Sequence, residues 1–243
     1  MTRTIAVVQA RMSSTRLPGK VLRDIGGKPL VLWVLDAVRA VPSVEVVVAA
    51  VTDEPDDDEL IDVIGSAGYP IHRGPGRDVL TRCWEAVRPY DPTIVVRATS
   101  DTPFVDPLVI DDQVRRVVEH GWDYVGIAGW PVGIAGEAAQ ATAVRAAYEE
   151  ATEDTEREHV MPFIYARPDR FRIGEARPTA PIPPGRFAVD TADDLAFIQA
   201  IAARLGPERP VVHAELLRIV TAEPDLLELN RGVVQKTWRE AQH

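Results

Sequence analysis

Cysteine, long apolar runs and a leader pattern are scarce or absent in this sequence. Cys83 is the only cysteine among 243 residues, which excludes a disulfide framework and a cysteine-built metal cluster. No apolar run approaches the roughly 18 residues that a membrane-spanning helix needs. The first residues also lack the charged-then-apolar pattern of a signal peptide. We therefore expect a cytoplasmic protein that does not act at a membrane.

Several common catalytic motifs are missing as well. The sequence contains neither G-x-G-x-x-G nor G-x-x-x-x-G-K-[ST], so dehydrogenase and ATPase interpretations lose support. Its five histidines form no His-x-x-x-His pair and it has no G-x-S-x-G elbow, which disfavours a zinc site and serine hydrolase chemistry. The net charge of −10 argues against nucleic-acid binding, which needs a broad basic surface.

Positive charge is nevertheless concentrated near the N-terminus. Residues 1–28 carry six lysines or arginines and one acid, and Arg11, Arg16 and Lys20 share one short loop after an apolar run. Cations this close repel each other, whereas a polyphosphate supplies counter-charge and accepts bidentate guanidinium bonds. The loop therefore predicts a phosphate site. The alternative is a solvated basic turn.

Valine-rich apolar runs alternate with helical patterns along the first half of the chain. Runs of this kind are typical of strands buried on both faces, and the alternation indicates a parallel sheet. The predicted strands are 5–8, 44–51, 70–72, 94–98, 124–128 and 186–189. The later predicted helices are 142–151, 156–166, 193–205, 214–221 and 225–229. The stretch 129–139 is rich in glycine and alanine and shows weaker order.

Two aspartates follow predicted strands. Asp101 comes after strand 94–98, beside the proline of Thr99-Ser-Asp-Thr-Pro103, and Asp190 comes after strand 186–189. Open α/β sheets bind ligands at the carboxyl ends of their strands, and one or two carboxylates suffice to hold Mg²⁺ against phosphates. Each aspartate alone could equally be a turn or cap residue. Their occurrence together with an arginine loop favours a magnesium site.

Two further segments precede predicted helices. In Gly74-Pro-Gly-Arg-Asp78 the glycines permit close backbone approach, and Arg77 or Asp78 could contact a nucleoside. Asp78 as a plain N-cap explains the spacing equally well. We interpret the acidic run 53–59 as capping and dipole compensation on a solvated face, with no chemistry assigned.

These motifs together resemble the cytidylyltransferase family that includes spore coat polysaccharide biosynthesis protein F and the acylneuraminate and 3-deoxy-manno-octulosonate cytidylyltransferases. The opening run 8–22 is the most specific part. The resemblance continues through 24–30, Arg73-Gly74, 78–80, Val96-Arg97, Asp101-x-Pro103, Asp106-Pro107, 156–160, Pro162, Tyr165, 189–191, 194–195, Asn230 and Val234-x-Lys236.

The resemblance implies a Rossmann-like, glycosyltransferase-A-type α/β fold with a mixed, mostly parallel sheet flanked by helices. It also implies transfer of CMP from CTP to a sugar or sugar-like acceptor, with release of pyrophosphate. The catalytic residues that it implies are Arg11, Lys20 and Asp101. The nucleotide-binding residues are Ala10, Arg11, Arg16, Lys20, Arg77, Asp78, Arg97, Thr99 and Ser100. The ligands of Mg²⁺ are Asp101 and Asp190. The acceptor-side residues are Pro131, Gly133, Glu137, Glu156, Arg157 and His159.

The sequence departs from the family pattern in two places. Ser100 stands where the family usually has glycine, and segment 131–137 lacks the usual acidic, apolar run, which favours a different small anionic acceptor. An acidic sugar, a sugar or cyclitol phosphate, or a phosphonate would fit. We expect one domain over 1–243, with an acceptor-side or dimerisation insertion near 129–185, a helical tail from about 206, and a homodimer. The alternatives are a nucleotide-sugar glycosyltransferase and a non-catalytic nucleotide-sugar binder.

Overall fold

The computed structural model describes residues 2–182, 185–206 and 210–235. Lys236 and the last part of the predicted tail lie outside the described residues. The strands in the described ranges are β1 (Thr4–Ala10), β2 (Asp24–Ile25), β3 (Lys28–Pro29), β4 (Val46–Thr52), β5 (Ile71–Gly74), β6 (Ile94–Thr99), β7 (Tyr124–Ile127), β8 (Glu137–Gln140) and β9 (Ile173–Ala176). The helices are α1 (Leu30–Arg39), α2 (Asp58–Ser66), α3 (Val79–Val87), α4 (Pro107–His120), α5 (Ala141–Glu150), α6 (Asp154–His159), α7 (Pro162–Tyr165), α8 (Ala192–Ala202) and α9 (His213–Ala222).

A seven-stranded sheet with the order β5-β4-β1-β6-β8-β7-β9 forms the centre of the fold. Strand β8 runs antiparallel to β6 and β7, and the other neighbouring strands are parallel. Strands β2 and β3 form a separate antiparallel hairpin. The predicted fold class, a mixed and mostly parallel sheet flanked by helices, is confirmed. Within the described ranges no helix combines the length and the apolar character needed to cross a bilayer.

Helices cover both faces of this sheet. Along β1, Ile5 and Val7 pack toward α3, α5 and α7, whereas Ala6 and Val8 pack toward α1, α2 and α4. All four side chains are fully buried. Burying a valine or isoleucine contributes roughly 1.5–3 kcal/mol, so the central strand explains why its sequence is apolar on both faces.

A third apolar cluster lies at the carboxyl edge of the sheet. It joins the β2–β3 hairpin to α8 and α9 through buried residues that include Ile25, Trp33, Phe104, Phe187 and Phe197. This cluster fixes the segment before α8 against the loop after β6. Segments from distant parts of the chain therefore meet at this edge.

Several predicted elements differ from the structure. Residues 186–189 are not a strand: they form one isolated bridge, between Val132 and Arg186, because the segment crosses the edge of the sheet instead of joining its ladder. Predicted helix 156–166 is divided into α6 and α7, since Val160 adopts a φ of 71° and Pro162 begins a new turn. Segment 225–229 lies in a 3-10 helix, Pro224–Asn230. Strands β8 and β9 were not predicted.

Candidate active site

The loop after β1 and the loop after β6 meet at the carboxyl edge of the sheet. Gly19, with a φ of 67°, ends the first loop and leads into a short 3-10 helix, Lys20–Leu22. Ala10 is buried at the end of β1, paired with Val51 of β4. The side chain of Lys20 therefore starts from a fixed backbone position at the edge where parallel sheets bind ligands.

Lys20 joins the two predicted metal ligands. Its Nζ donates to Asp101 Oδ2 at 3.1 Å, to Asp190 Oδ1 at 2.8 Å and to the backbone carbonyl of Val189 at 2.7 Å. The backbone N–H of Val189 in turn donates to the carbonyl of Asp101 at 2.8 Å. Two carboxylates that are 89 positions apart in the chain thus converge on one ammonium group.

Asp190 receives further cations. Arg16 lies 2.9 Å from its Oδ2, and Arg186 donates to the same oxygen. Burial acts to raise the pKa of Asp190, but attraction to Lys20, Arg16 and Arg186 outweighs burial and lowers that pKa. Asp190 does not cap α8, since Thr191 and Asp194 form the capping box of that helix. The cap interpretation of Asp190 is therefore not supported.

Asp101 is also oriented by its own loop. Thr99 Oγ1 donates to Asp101 Oδ1 at 2.6 Å, and the hydroxyl of Thr102 bonds the carbonyl of Thr99 at 3.0 Å. Ser100 is buried, and its N–H donates to the carbonyl of Gln9 at 3.1 Å. Thr99 and Ser100, both predicted to bind nucleotide, thus hold the aspartate loop against β1.

The donor chemistry at this position fits Mg²⁺. The ion prefers carboxylate oxygens and keeps waters and phosphate oxygens as its other ligands. Asp101 and Asp190 supply two carboxylates at one point. No group of three or more His, Cys, Asp or Glu side chains in the described ranges is arranged to hold a metal. The remaining ligands would therefore have to come from phosphate and water.

Arg11 differs from the other two cations of the loop. Its side chain is exposed, and it makes no hydrogen bond or ion pair to any residue in the described part of the chain. Arg16 and Lys20, by contrast, already receive counter-charge from Asp101 and Asp190. Asp101 and Asp190 thus supply part of the negative charge that we expected from a bound polyphosphate.

Asp57 anchors residues 11–19, the predicted phosphate loop, and corrects our interpretation of the acidic run. Its side chain is 2% exposed, accepts the N–H of Met12 at 2.6 Å and receives the hydroxyl of Thr52. It makes no side-chain cap to α2. One of the acids in run 53–59 therefore faces the interior and holds the loop that carries Arg11. Its flanking acids, Asp56 and Asp58, are exposed as expected.

The loop before α3 lies beside this region. Asp78 caps α3 by accepting the N–H of Thr81 at 2.9 Å and also pairs with Arg157 at 2.6 Å. Burial raises the pKa of Asp78, but the bonds from Arg157 and Thr81 outweigh it and lower the pKa overall. The N-cap interpretation of Asp78 thus has direct structural support. Arg77 is exposed.

A second polar group spans β1, β6, β8 and β7 on one face of the sheet. Arg97 donates to Gln9 Oε1 at 2.8 Å and to Glu137 Oε2 at 2.5 Å, and Tyr124 donates to Glu137 Oε1 at 2.7 Å. We call Gln9, Arg97, Tyr124 and Glu137 the sheet network. Burial and the adjacent Glu137 carboxylate raise the pKa of Tyr124, which therefore stays protonated as a donor.

His159 lies near the sheet network. Its Nε2 is buried and has no hydrogen-bond partner within the described ranges. Burial lowers the pKa of His159 below its ordinary value of 6.5, and the Arg97 charge acts in the same direction. The structure thus places a neutral imidazole with a buried, unpartnered ring nitrogen near the sheet network.

The other predicted acceptor residues are dispersed. Glu156 is buried and pairs with Arg167 at 2.6 Å, while Arg157 is bound to Asp78. Pro131 and Gly133 lie beside residues 186–188, where a Cβ at position 133 would come within 2.6 Å of the Phe187 carbonyl. The structure thus brings Glu137 and His159 toward one region and places Glu156, Pro131 and Gly133 in supporting contacts.

Sequence reasoning missed Asp57 and Arg186. Arg186 is buried and binds Asp190 and Asp194, and Asp194 also accepts from Asn230 at 3.1 Å. No local signal separates Asp57 from the exposed acids beside it. For Arg186, its spacing of four residues before Asp190 was the available hint.

The chain belongs to the cytidylyltransferase family, which it matches over residues 5–205. It is therefore a nucleotidyltransferase by family. It is 34% identical over 227 residues to the spore coat polysaccharide biosynthesis protein SpsF of Bacillus subtilis. The alignment covers 90% of this chain and 94% of that protein.

Solved structures share the fold. A cytidylyltransferase from Leptospira borgpetersenii superposes with a TM-score of 0.88 at 22% identity, covering 97% of this chain and 100% of that chain. CMP:2-keto-3-deoxy-manno-octonic acid synthetase, solved in complex with CTP, superposes with a TM-score of 0.67 at 16% identity, covering 84% of this chain and 99% of that chain.

Proposed function

We propose that this enzyme transfers CMP from CTP to a small anionic acceptor and releases pyrophosphate. The observation that carries the proposal is the convergence of Asp101 and Asp190 on Lys20 beside the loop of Arg11 and Arg16. The family match and the CTP complex of a structural neighbour support CTP as the substrate.

In this reaction an acceptor oxygen attacks the α-phosphorus and the pyrophosphate leaves in line. Catalysis of phosphoryl-type transfer consists mainly of positioning and of neutralising charge that develops on the phosphate oxygens. Lys20, Arg16 and Arg11 would bind the triphosphate. Asp101 and Asp190 would hold Mg²⁺, which when bound neutralises phosphate charge and orients the reacting group.

Binding would exchange ion pairs instead of creating isolated charges. Without nucleotide, Arg16 and Lys20 neutralise Asp190, and Lys20 also contacts Asp101. If magnesium and CTP bind, Asp101 and Asp190 would hold the metal ion and the cations would pair with phosphate oxygens. Each buried charge then keeps a partner in both states, which avoids the penalty of an unpaired buried charge.

On the acceptor side, the proposal rests on Glu137 of the sheet network and on His159, which lies near that network. The Arg97 charge is already balanced by Glu137 at 2.5 Å. The Nε2 of His159 is buried without a partner in the part of the chain that the structure describes, which leaves hydrogen-bonding capacity unused near Glu137. We propose an acidic sugar, a sugar or cyclitol phosphate, or a phosphonate as the acceptor class, used for polysaccharide or related assembly in the cytoplasm. We also propose that the enzyme acts as a homodimer.

The test combines a substrate screen with two substitutions. The four nucleoside triphosphates are incubated with Mg²⁺ and a panel of acidic sugars, cyclitol phosphates and phosphonates, and pyrophosphate release is measured. Lys20→Ala and Asp101→Asn should each lower kcat by about 30- to 1,000-fold, because each removes charge stabilisation of about 2–4 kcal/mol. Arg23→Met, an exposed cation three residues from Lys20, should retain wild-type turnover.

Unchanged turnover in both Lys20→Ala and Asp101→Asn would overturn the assignment. A nucleotide-sugar glycosyltransferase would transfer sugar from a nucleotide-sugar and release no pyrophosphate from CTP, so product analysis separates the two enzyme classes. A non-catalytic binder would bind CTP without turnover of any acceptor in the panel.

A further inference from the structure

Arg82 is a buried arginine that the proposed mechanism does not yet use. It lies on α3 and is 1% exposed, among the largest fully buried side chains of the protein. Its aliphatic stem packs on Gly74 at the end of β5, where a Cβ would come within 3.1 Å of Arg82 Cγ. Gly74 therefore provides the space that the stem occupies.

The guanidinium of Arg82 binds backbone carbonyls instead of a carboxylate. One of its terminal nitrogens, NH1, donates to the carbonyls of Pro75 and Gly76, the latter at 3.1 Å. Its Nε is buried without a partner, and no ion pair involves Arg82 within the described ranges. Burying a charge without a counter-ion is costly, and burial lowers the pKa of Arg82 from its ordinary value. The guanidinium nonetheless remains protonated at neutral pH.

These two bonds determine how the loop presents its amides. In a trans peptide the C=O and the N–H point in opposite directions. With the Pro75 and Gly76 carbonyls turned inward to Arg82, the N–H groups of Gly76 and Arg77 point away from the protein interior. Neither N–H donates to another group in the part of the chain that the structure describes. The loop thus presents two adjacent, unused donors.

The position of this loop connects it to the phosphate site. The backbone N–H of Asp53 donates to the carbonyl of Gly74 at 2.9 Å, at the start of the loop that Arg82 binds. Four residues further on, Asp57 anchors the phosphate loop through the N–H of Met12. Segment 53–57 therefore connects the loop of residues 74–77 to the phosphate loop.

We propose that Arg82 is a positioning residue for nucleoside recognition: it fixes the 75–77 backbone so that the Gly76 and Arg77 amides donate to acceptor atoms of the CTP nucleoside. This inference rests on the proposed function, since it assumes that CTP binds at this edge. Arg82 touches no substrate itself. Its effect is on the nucleoside part of the ligand, whereas Lys20 and Arg16 act on the phosphates.

The test compares a nucleotide with its phosphate tail alone. Calorimetry with MgCl₂ measures the Kd of CTP, UTP and inorganic tripolyphosphate for the wild type and for Arg82→Met. We expect Arg82→Met to weaken CTP at least tenfold, to reduce the preference of CTP over UTP, and to leave tripolyphosphate within twofold. Arg116→Met on α4, which removes a half-buried arginine paired with Asp112, should leave all three affinities unchanged.

Two results would overturn the inference: unchanged CTP affinity in Arg82→Met, or an equal loss for CTP and tripolyphosphate, which would show a general charge effect. If Arg82→Met does not fold, Arg82→Lys decides, because it keeps a cation without the guanidinium fork. It should weaken CTP at least threefold with tripolyphosphate unchanged, and any other pattern counts against the inference. Failure of the wild type to bind CTP would instead reject the proposed function.

Discussion

The Lys20 cluster and the sheet network are both built from oppositely charged groups, but they are built on different kinds of backbone. Lys20, Arg16, Asp101 and Asp190 stand on loops, and their partners come from three separated segments. The sheet network stands on neighbouring strands whose register is fixed, with Arg97 directly paired to Glu137 across β6 and β8. Ion pairs between side chains on loops can exchange partners when a ligand binds, whereas ion pairs between neighbouring strands are held in one arrangement.

This difference assigns different roles to the two groups. The Lys20 cluster is suited to binding and releasing a charged ligand. Its cationic side chains could pair with phosphate instead of a carboxylate, and its carboxylates could bind a metal ion instead of a cationic side chain. The sheet network is suited to shaping a pocket, because its members satisfy each other. If this division holds, substitutions in the sheet network should mainly change stability, and substitutions at the Lys20 cluster should mainly change ligand binding.

The largest expected effect on stability comes from Arg97→Met. It leaves the half-buried Glu137 carboxylate with Tyr124 as its remaining partner in the network, and breaking such a pair costs about 3 kcal/mol. Urea denaturation measures the loss. Arg170→Met, which removes an exposed pair with Glu150, should change stability little. A wild-type unfolding free energy in Arg97→Met would show that the sheet network is not a structural unit.

Asp57→Ala should have an intermediate effect. The Met12 N–H and the Thr52 hydroxyl lose their shared acceptor, which we expect to cost about 2 kcal/mol of unfolding free energy. Because the phosphate loop loses its anchor, the Kd for CTP should also rise about fivefold. Asp56→Ala, its exposed neighbour, is the matched control and should match the wild type in both measurements. If Asp57→Ala and Asp56→Ala behave alike, Asp57 does not anchor the loop.

The smallest effect is the pH dependence contributed by His159. Burial lowers its folded-state pKa below 6.5, so the unfolded chain binds a proton more readily. Above pH 6.5 the ring is neutral in both states and does not lower the free energy of unfolding. As pH falls from 6.5 toward the folded-state pKa, the unfolded chain takes up a proton that the folded protein does not, so the free energy of unfolding falls. Between pH 7.5 and 5.5, His159→Gln should therefore lose less stability than the wild type, by about 1 kcal/mol. Urea unfolding at both pH values gives the comparison.

The control is His120→Gln at an exposed histidine, which should retain the wild-type pH dependence of the unfolding free energy. An identical loss of unfolding free energy in all three proteins would contradict a buried neutral His159.

The sequence was informative where the signal is local. Three cations in one loop and two aspartates near strand ends require only neighbouring residues to be recognised, and the structure brings Lys20, Asp101 and Asp190 together. The parallel sheet was predictable because strands buried on both faces are continuously apolar. Strand β8, with Ala138 and Ala139 at its centre, has no such signature and was missed.

What could not be predicted depends on contacts between distant segments. Asp57 resembles the acids beside it until the chain folds and Met12, 45 residues away, donates to it. Arginines are usually exposed, so nothing local marks Arg82 as buried. The extended segment 186–189 reads as a strand because its apolar residues are buried, but they pack in the cluster with Phe197 instead of in the sheet.

The bond between Val189 and Asp101 has a consequence for biosynthesis. Lys20 and Asp101 leave the ribosome early, but the second carboxylate and its backbone tie are made only after residue 190 has emerged. A nascent chain that ends before that point carries a basic loop without its full set of counter-charges. Chains that end before residue 190 therefore lack the ion pairs from Asp190 to Lys20 and Arg16.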